Sequence, residues 1–247
     1  MQHQSLCIFL NSKTANSYIN NYSSECMFKL PPLNIPKKSK INISVQTASI
    51  PSSFYNCDDF NNKFDVIVNG VPQNYIIPQG NYNINTLIIQ LKSFLGANFT
   101  IVYNNLDNTI TFTNSLYDFQ FLNTSSCFEM LGFTDNITVS SISKVLKSTI
   151  SINLFTIRNI LISSNNFILN NVNSTKPNDS SILCSIPINS SPGSIISYTN
   201  NFNVSNDVYN TTNLTLLHLK LTDQDGTILD LNGCHFSLTL QLDIYKK

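Results

Sequence analysis

Histidines are few in this chain, although histidine is the side chain that most often moves protons in enzymes. The 247 residues contain three of them, His3, His218 and His235. His218 takes the polar phase of an alternating segment, and His235 precedes another such segment. No Gly-x-Ser-x-Gly, His-Glu-x-x-His, Gly-x-Gly-x-x-Gly or phosphate-loop motif is found. We therefore predict that the protein is not an enzyme and has no catalytic residue.

Acidic residues offer one pattern that resembles a metal site. Asp223, Asp225 and Asp230 begin like a calcium loop, but the later ligands and the closing Glu of that loop are missing. A β-turn at Asp225-Gly226 between two strands explains the pattern better. Asp58-Asp59 formally supplies a carboxylate pair for hydrolysis, without further support. The sequence predicts no metal site and no cofactor.

Basic residues do not favour nucleic acid as a partner. The chain has 14 basic and 14 acidic residues, hence zero net charge, and Arg158 is its only Arg. Proteins that bind nucleic acid through phosphates need a basic face. We interpret the one basic cluster, Lys37, Lys38 and Lys40, as a solvated loop tip rather than a patch for nucleic acid or lipid.

The cysteines do not form a zinc or disulfide pattern. They lie 19 or more residues apart, without a Cys-x-x-Cys pair, at Cys7, Cys26, Cys57, Cys127, Cys184 and Cys234. The first residues have no basic stretch followed by an apolar segment, which predicts no secretory signal. We expect six free thiols in a reducing compartment, packed as small apolar groups, with Cys7 and Cys184 inside apolar strands.

Composition favours β-structure. The chain is 42 % hydrophobic but only 11 % charged, against about 25 % in typical globular proteins. Its polarity comes from 37 Asn, which outnumber all charged residues together. An AT-rich genome is an alternative explanation of the Asn and Ile bias. No apolar run approaches the about 18 residues of a membrane span, so we predict none.

Alternation of apolar and polar residues predicts many strands. It is strictest at Phe236, Leu238, Leu240, Leu242 and Ile244, which requires one buried and one polar face. Shorter candidates span residues 6–10, 26–30, 41–50, 64–68, 148–154, 159–163, 181–188, 194–198 and 228–231. Turns are predicted between them, for example at Pro31-Pro32 and Asn69-Gly70. Short strands separated by turns are typical of a β-sandwich or barrel.

One segment departs from this pattern. Residues 75–133 combine strands with a helix that Asn85 would cap, with Leu87 and Leu91 on its apolar side and Gly96 at its end. We expect a small α+β subdomain over 75–133, inserted into a β-sandwich made of residues 1–74 and 134–247.

Short motifs follow one another along the chain in a fixed order: Ile50-Pro51-Ser52-Ser53-Phe54-Tyr55-Asn56, Gly80-Asn81-Tyr82-Asn83, Leu131-Gly132-Phe133, Arg158-Asn159-Ile160, Ser185-Ile186-Pro187-Ile188, Pro192-Gly193, Asp225-Gly226 and Leu231-Asn232-Gly233. This succession resembles the penton, or minor capsid, proteins of virophages and polinton-like viruses. Each motif alone is a turn beside apolar residues, and their order carries the resemblance, which spans nearly the whole chain.

The resemblance implies an all-β, jelly-roll β-sandwich with an insertion. It also implies a homopentamer that occupies the vertices of an icosahedral capsid, contacts the major capsid protein and assembles in the host cytoplasm. A cement protein of the capsid is an alternative. A further alternative is a receptor- or glycan-binding module, for which Tyr75, Tyr82, Tyr103 and Tyr117 of the insertion would supply aromatic platforms.

Overall fold

The computed structural model describes residues 2–36, 39–134, 137–171, 181–209 and 213–246. Close contacts divide the chain into two compact units, residues 1–54 with 157–247, and residues 55–156. The strands of the first unit are β1 (Gln2–Asn11), β2 (Ser17–Ile19), β3 (Tyr22–Asn34), β4 (Lys40–Pro51), β12 (Asn159–Ser163), β13 (Ile182–Pro187), β14 (Ile195–Thr199), β15 (Asn206–Val208), β16 (Asn213–Thr222) and β17 (Ser237–Lys246). The second unit contains β5 (Lys63–Val68), β6 (Val71–Ile76), α1 (Ile84–Leu95), β7 (Phe99–Asn104), β8 (Thr109–Asn114), β9 (Phe119–Phe121), α2 (Phe128–Leu131), β10 (Val139–Ser140) and β11 (Val145–Lys147).

Two antiparallel sheets form the first unit. One has the order β1-β17-β4-β14, with β15 also paired to β4, and the other has the order β13-β12-β16-β3-β2. Leaving aside the short β2 and β15, each sheet has four strands, and the chain crosses between the sheets in the order of a jelly roll. Apolar residues of both sheets form one shared core. The predicted all-β jelly-roll sandwich is confirmed.

Strand β17 shows why the sheets pack together. It pairs with β1 on one side and β4 on the other, so it is a central strand. Leu238, Leu240 and Leu242 are buried in the shared core, while Thr239 and Gln241 lie on the opposite face. The alternation predicted from the sequence is therefore confirmed.

Strand β3 is longer than the sequence predicts, because it continues through Pro31-Pro32. Proline lacks the N–H that a sheet ladder uses, so it is tolerated at edges and bulges. The pairing of β3 with β16 shifts register between Leu214 and Leu216, opposite this segment. Because the hydrogen bonding between β3 and β16 is already irregular there, β3 continues through the two prolines. The turn predicted at Pro31-Pro32 is therefore wrong. The expected strand 228–231 is reduced to an isolated bridge between Ile228 and Thr222.

The second unit has its own core. Sheets of order β10-β9-β5-β6 and β11-β8-β7 contribute to it, together with α1 and α2. Phenylalanines dominate its centre: the Phe112 and Phe121 rings meet edge-to-face at 4.8 Å, and Phe121 and Phe133 at 5.7 Å. Such edge-to-face pairs add to the free energy gained by burying the rings.

Helix α1 begins two residues before the predicted position. The side chain of Asn83, not Asn85, accepts hydrogen bonds from the backbone N–H groups of Asn85 and Thr86, and the Thr86 hydroxyl accepts one from the backbone N–H of Asn83. This reciprocal capping box leaves Asn85 inside the first turn. Gly96 ends the helix as predicted. Among the described residues, no helix is long and apolar enough to cross a membrane.

The second unit, residues 55–156, extends the expected 75–133 at both ends. On the N-terminal side, β5 turns through Asn69-Gly70 into β6 and also pairs with β9. On the C-terminal side, residues 148–154 are not a strand, which corrects that prediction. The backbone N–H of Ile150 donates to the Gly132 carbonyl, at a site where any larger residue would collide with the Ile150 carbonyl oxygen. The residues that make these contacts are far apart in the sequence and follow no periodic pattern. The bounds of the second unit could therefore not be predicted from periodicity.

Leu240→Asp tests the register of β17. An unpaired charge in the core costs several kcal/mol against a total stability of about 5–15 kcal/mol, so we expect loss of soluble protein. Thr239→Asp, on the opposite face, is the matched control and should leave soluble yield and the melting temperature nearly unchanged. Equal tolerance of both substitutions would contradict the assigned faces.

Replacement of residues 55–156 by a short Gly/Ser linker tests whether the two units fold independently. Phe54 and Ile157 both pack against the core of the sandwich, and closure entropy changes slowly with loop length. We expect the remaining chain to be monodisperse, with a cooperative urea transition. A shortened chain without cooperative unfolding would show that the second unit is required for the sandwich.

Candidate functional site

His235 and Ser12 form the pair that most resembles a nucleophile and its base. The Ser12 Oγ lies 3.2 Å from the His235 Nδ1. However, Ser12 is fully buried, and its hydroxyl accepts the backbone N–H of Phe236 at 2.9 Å. A substrate cannot reach this oxygen, so the pair joins β1 to the start of β17 and performs no nucleophilic chemistry.

His3, Ser5 and Asp243 cluster where β1 pairs with β17, yet their connections differ from those of a triad. The Asp243 Oδ1 accepts the Ser5 hydroxyl and lies 3.2 Å from the His3 Nε2. Burial raises the pKa of Asp243, but hydrogen bonds from Ser5, Gln241 and His3 outweigh it, and the pKa is lowered. Because Ser5 donates to the carboxylate and not to His3, no base activates its hydroxyl. The cluster thus adds side-chain hydrogen bonds between the edge strand β1 and its neighbour β17.

His218 lies on the polar phase of β16, as expected, but it is buried. Its Nε2 is 3.1 Å from the Glu25 Oε1, and its Nδ1 has no hydrogen-bond partner among the described residues. The Asn166 side chain covers this part of the strand, accepting from the backbone N–H of His218 and donating to the Leu216 carbonyl. This pair was not foreseen, because Glu25 and His218 are 193 residues apart.

The acidic and basic clusters act as turns and ion pairs. The Asp223 Oδ1 accepts the backbone N–H groups of Asp225 and Thr227, and the Asp230 Oδ1 accepts that of Asn232. No three His, Cys, Asp or Glu residues of the described chain come together as metal ligands. Lys37 and Lys38 lie outside the described residues, and Lys40 pairs with Asp207 at 3.2 Å.

All six cysteines are free thiols in the structure. Burial raises the pKa of Cys26, Cys57 and Cys184 to about 12, so these thiols stay protonated and unreactive. Cys7 and Cys234 are exposed. The expectation that Cys7 is buried is wrong, because the alternation of β1 directs Ile8 and Leu10 into the core and places Cys7 on the opposite, exposed face.

Asp65 is the most enclosed carboxylate among the described residues of the second unit. Burial raises its pKa, but hydrogen bonds from Lys63, Thr124 and Asn74, with the charge of Lys63, outweigh this effect and lower it. The Lys63 Nζ lies 2.7 Å from one carboxylate oxygen, and the Asn74 Nδ2 lies 2.6 Å from the other. The carboxylate thus joins β5, β6 and the segment after β9, which is a structural role.

The four tyrosines proposed as aromatic platforms do not share one surface element. Tyr75 stacks on Phe94 at 4.9 Å, and the hydroxyls of Tyr82 and Tyr103 donate to Pro78 and Asn108. Those three rings are half-buried, and only Tyr117 is exposed.

The outer face of the sheet β1-β17-β4-β14 is the broadest candidate for binding another protein. It exposes small, uncharged side chains, namely Ser5, Cys7, Thr47, Ser49 and Ser237, with the half-buried Thr239 among them. Thr47 donates to Thr239 at 3.1 Å across the pair β4 and β17. Phe9 stands 80 % exposed at the β1 edge of this face. Monomeric proteins usually protect such edges and faces with charge, which is scarce here.

Comparison with known proteins gives a match in structure only. No protein family and no curated protein sequence matches the chain. The mavirus penton protein matches with a TM-score of 0.54 and 12 % identity, over 99 % of this chain and all of that one. The chain has the fold of a virophage penton protein. A chain of the Sputnik virophage, solved by cryo-EM, aligns at a TM-score of 0.45 and 14 % identity, over 98 % of both chains.

Asp65 makes unfolding of the protein sensitive to acid. Its folded pKa lies below the ordinary value of about 3.9, so its contribution to stability is complete above that value and is lost as pH falls through the folded pKa. Asp65→Asn should lower the free energy of unfolding at pH 7 by about 1–3 kcal/mol. It should also reduce the further loss of this free energy as the pH falls below about 4. Urea titrations of the full chain at each pH measure both effects.

Asp59→Asn is the matched control, because Asp59 is exposed and accepts one hydrogen bond, from Gln79. This variant should keep the acid dependence of the unmodified chain. An Asp65→Asn variant with unchanged stability and acid dependence would contradict the role given to the carboxylate.

Proposed function

We propose that this chain is a structural virion protein, the penton of a small icosahedral double-stranded DNA virus related to virophages and polinton-like viruses. The observation that carries the proposal is the match to the mavirus penton protein, which covers both chains almost completely. Because the match includes both units of this chain, it supports a common overall role better than a match of one sandwich would.

The side chains support a role through surfaces rather than through chemistry. The serine and histidine pairs found here are buried or wrongly connected for nucleophilic catalysis, and Asp223 and Asp230 hold turns instead of a metal ion. An uncharged outer sheet face and an exposed edge strand favour contacts with other proteins. Zero net charge with one Arg disfavours a genome-binding role.

In this proposal the working unit is a homopentamer. Five copies surround each vertex of the capsid and contact neighbouring copies of the major capsid protein, after assembly in the host cytoplasm. The number five and the second partner are carried over from the resemblance to penton proteins. No enzymatic activity, cofactor or membrane span belongs to the proposed role.

Localisation within purified virions tests the penton role. Cryo-EM of particles that contain this chain should show its density in a ring at every fivefold vertex. Density beneath or between the other capsomers would replace the penton by a cement protein. Absence of the chain from purified particles would contradict any role in the capsid.

Binding to a receptor or glycan is a second candidate, supported by one feature of the second unit. Tyr117 and its neighbour Leu116 are exposed side by side, and their backbone N–H groups both donate to the Asn114 side chain, which fixes the loop. Glycan-array binding that Tyr117→Ala removes and Tyr82→Ala preserves would favour this candidate over a purely structural role.

A further inference from the structure

A loop between β14 and β15 displays the most exposed aromatic ring among the described residues. Both strands pair with β4, and residues 200–205 bulge out between them. Phe202, in this loop, is 90 % exposed. Nothing in the described first unit covers its side chain.

The loop is built to hold Phe202 in place. The Asn200 side chain is buried, its Nδ2 donates to the Val204 carbonyl at 2.9 Å, and its Oδ1 accepts the backbone N–H of Val204 at 2.9 Å. The backbone N–H of Asn200 donates to the Gln46 carbonyl of β4. A buried side-chain amide that hydrogen-bonds across the loop limits the conformations of the loop. Binding through Phe202 would therefore cost little conformational entropy of the loop.

The same sheet edge carries further exposed apolar side chains. Ile195 on β14, Val204 in the loop and Tyr209 after β15 are all more than half exposed. Val204 lies in the same loop as Phe202, whereas Ile195 and Tyr209 lie near opposite ends of β4, because Ile195 pairs with Pro51 and Val208 pairs with Ile41. Exposed apolar side chains of this kind favour an interaction site along this edge.

The opposite edge of the sheet opens into an apolar cleft. Among the described strands, β1 pairs only with β17, and β3 beyond Met27 pairs only with β16. A cleft of about 400 Å³ lies between these two free edges. Apolar side chains from both strands line it, namely Leu6, Ile8, Leu10, Phe28, Leu30 and Leu33.

We propose that Phe202 of one copy inserts into the cleft between β1 and β3 of a second copy of this chain. The occupant is a second copy because one chain carries both halves of the contact, the exposed Phe202 loop at one edge of a sheet and an apolar cleft at the other. Such a contact is heterologous, and repeated head-to-tail it forms a ring when the rotation between copies closes. The inference rests on the proposed penton function and names the contact that would build its ring.

The two surfaces match in size and in charge. A cleft of about 400 Å³ is within the range of sites that enclose small ligands, so it accommodates a phenyl ring. The charged residue that lines the cleft is Lys29, whereas the charged residue of segment 200–209 is Asp207, which also pairs with Lys40. The charges are therefore of opposite sign, and the remaining neighbours of Phe202, Asn201 and Asn203, are uncharged.

Cysteine cross-linking tests this contact directly, because Cys7 is an exposed thiol that lines the cleft. We expect Asn201→Cys, which keeps the Phe202 ring, to give covalent multimers when treated with a short bismaleimide, with a 201–7 peptide identified by mass spectrometry. Adding Cys7→Ser should remove the multimers. Adding Cys234→Ser, which removes the other exposed thiol, should leave them unchanged.

Sedimentation of the full chain supplies a test without cross-linking. Phe202→Asp should weaken self-association by at least about 30-fold, the loss typical of a central interface residue. Phe60→Asp is the matched control, because Phe60 is a 76 % exposed ring of the second unit and should keep the association of the unmodified chain.

The outcomes separate this inference from the penton role. Multimers that persist after Cys7→Ser, or no 201–7 product at the highest soluble concentration, would overturn the contact even if the chain occupies fivefold vertices. A 201–7 contact in a protein that virions place elsewhere would support the contact and overturn the penton role.

Discussion

The double pairing of β17 is the constraint on which the first unit depends. A strand with neighbours on both sides has no free backbone groups, so its two faces alone decide what it contacts. Leu238, Leu240 and Leu242 bury one face against the second sheet, which leaves the other face to water or to a partner. The pairing of β1 with β17 keeps one register, and that of β4 shifts once, between Thr239 and Leu240. Both neighbours therefore share the two faces of β17, so that one face of the sheet is buried and the other is exposed.

Features set by neighbouring residues could be predicted from the sequence. The alternation in β17 and the end of α1 at Gly96 depend on side-chain periodicity and on a positive φ that glycine tolerates. Errors arose where two nearby residues offer the same chemistry, as Asn83 and Asn85 do for the helix cap. At Pro31-Pro32 the local signal for a turn is real, but the irregular ladder to β16 overrides it.

Features that depend on distant residues could not be predicted in this way. Two contacts illustrate this, the pair of Glu25 with His218 and the hydrogen bond from the Ile150 N–H to the Gly132 carbonyl. Each joins segments whose sequences follow no common periodicity, and the same holds for the bounds of the second unit. The candidate interaction surfaces belong to the same class. Nothing in the sequence around Phe202 marks it as exposed, since Phe is usually buried; its display follows from the hydrogen bonds of Asn200.

The scarcity of charge has a consequence for how such surfaces can work. Ion pairs between exposed groups weaken as salt screens them over about 8 Å at physiological ionic strength, whereas apolar burial and amide hydrogen bonds are much less affected. The outer face of β17 and the segment 200–209 present mainly hydroxyls, amides and apolar groups. Asp243 is hydrogen-bonded by Ser5, Gln241 and His3, and Asp207 is paired with Lys40. Contacts made by these surfaces should therefore depend on shape more than on ionic conditions. Selectivity then has to come from rigid presentation of a few groups, which is what the buried Asn200 amide provides for Phe202.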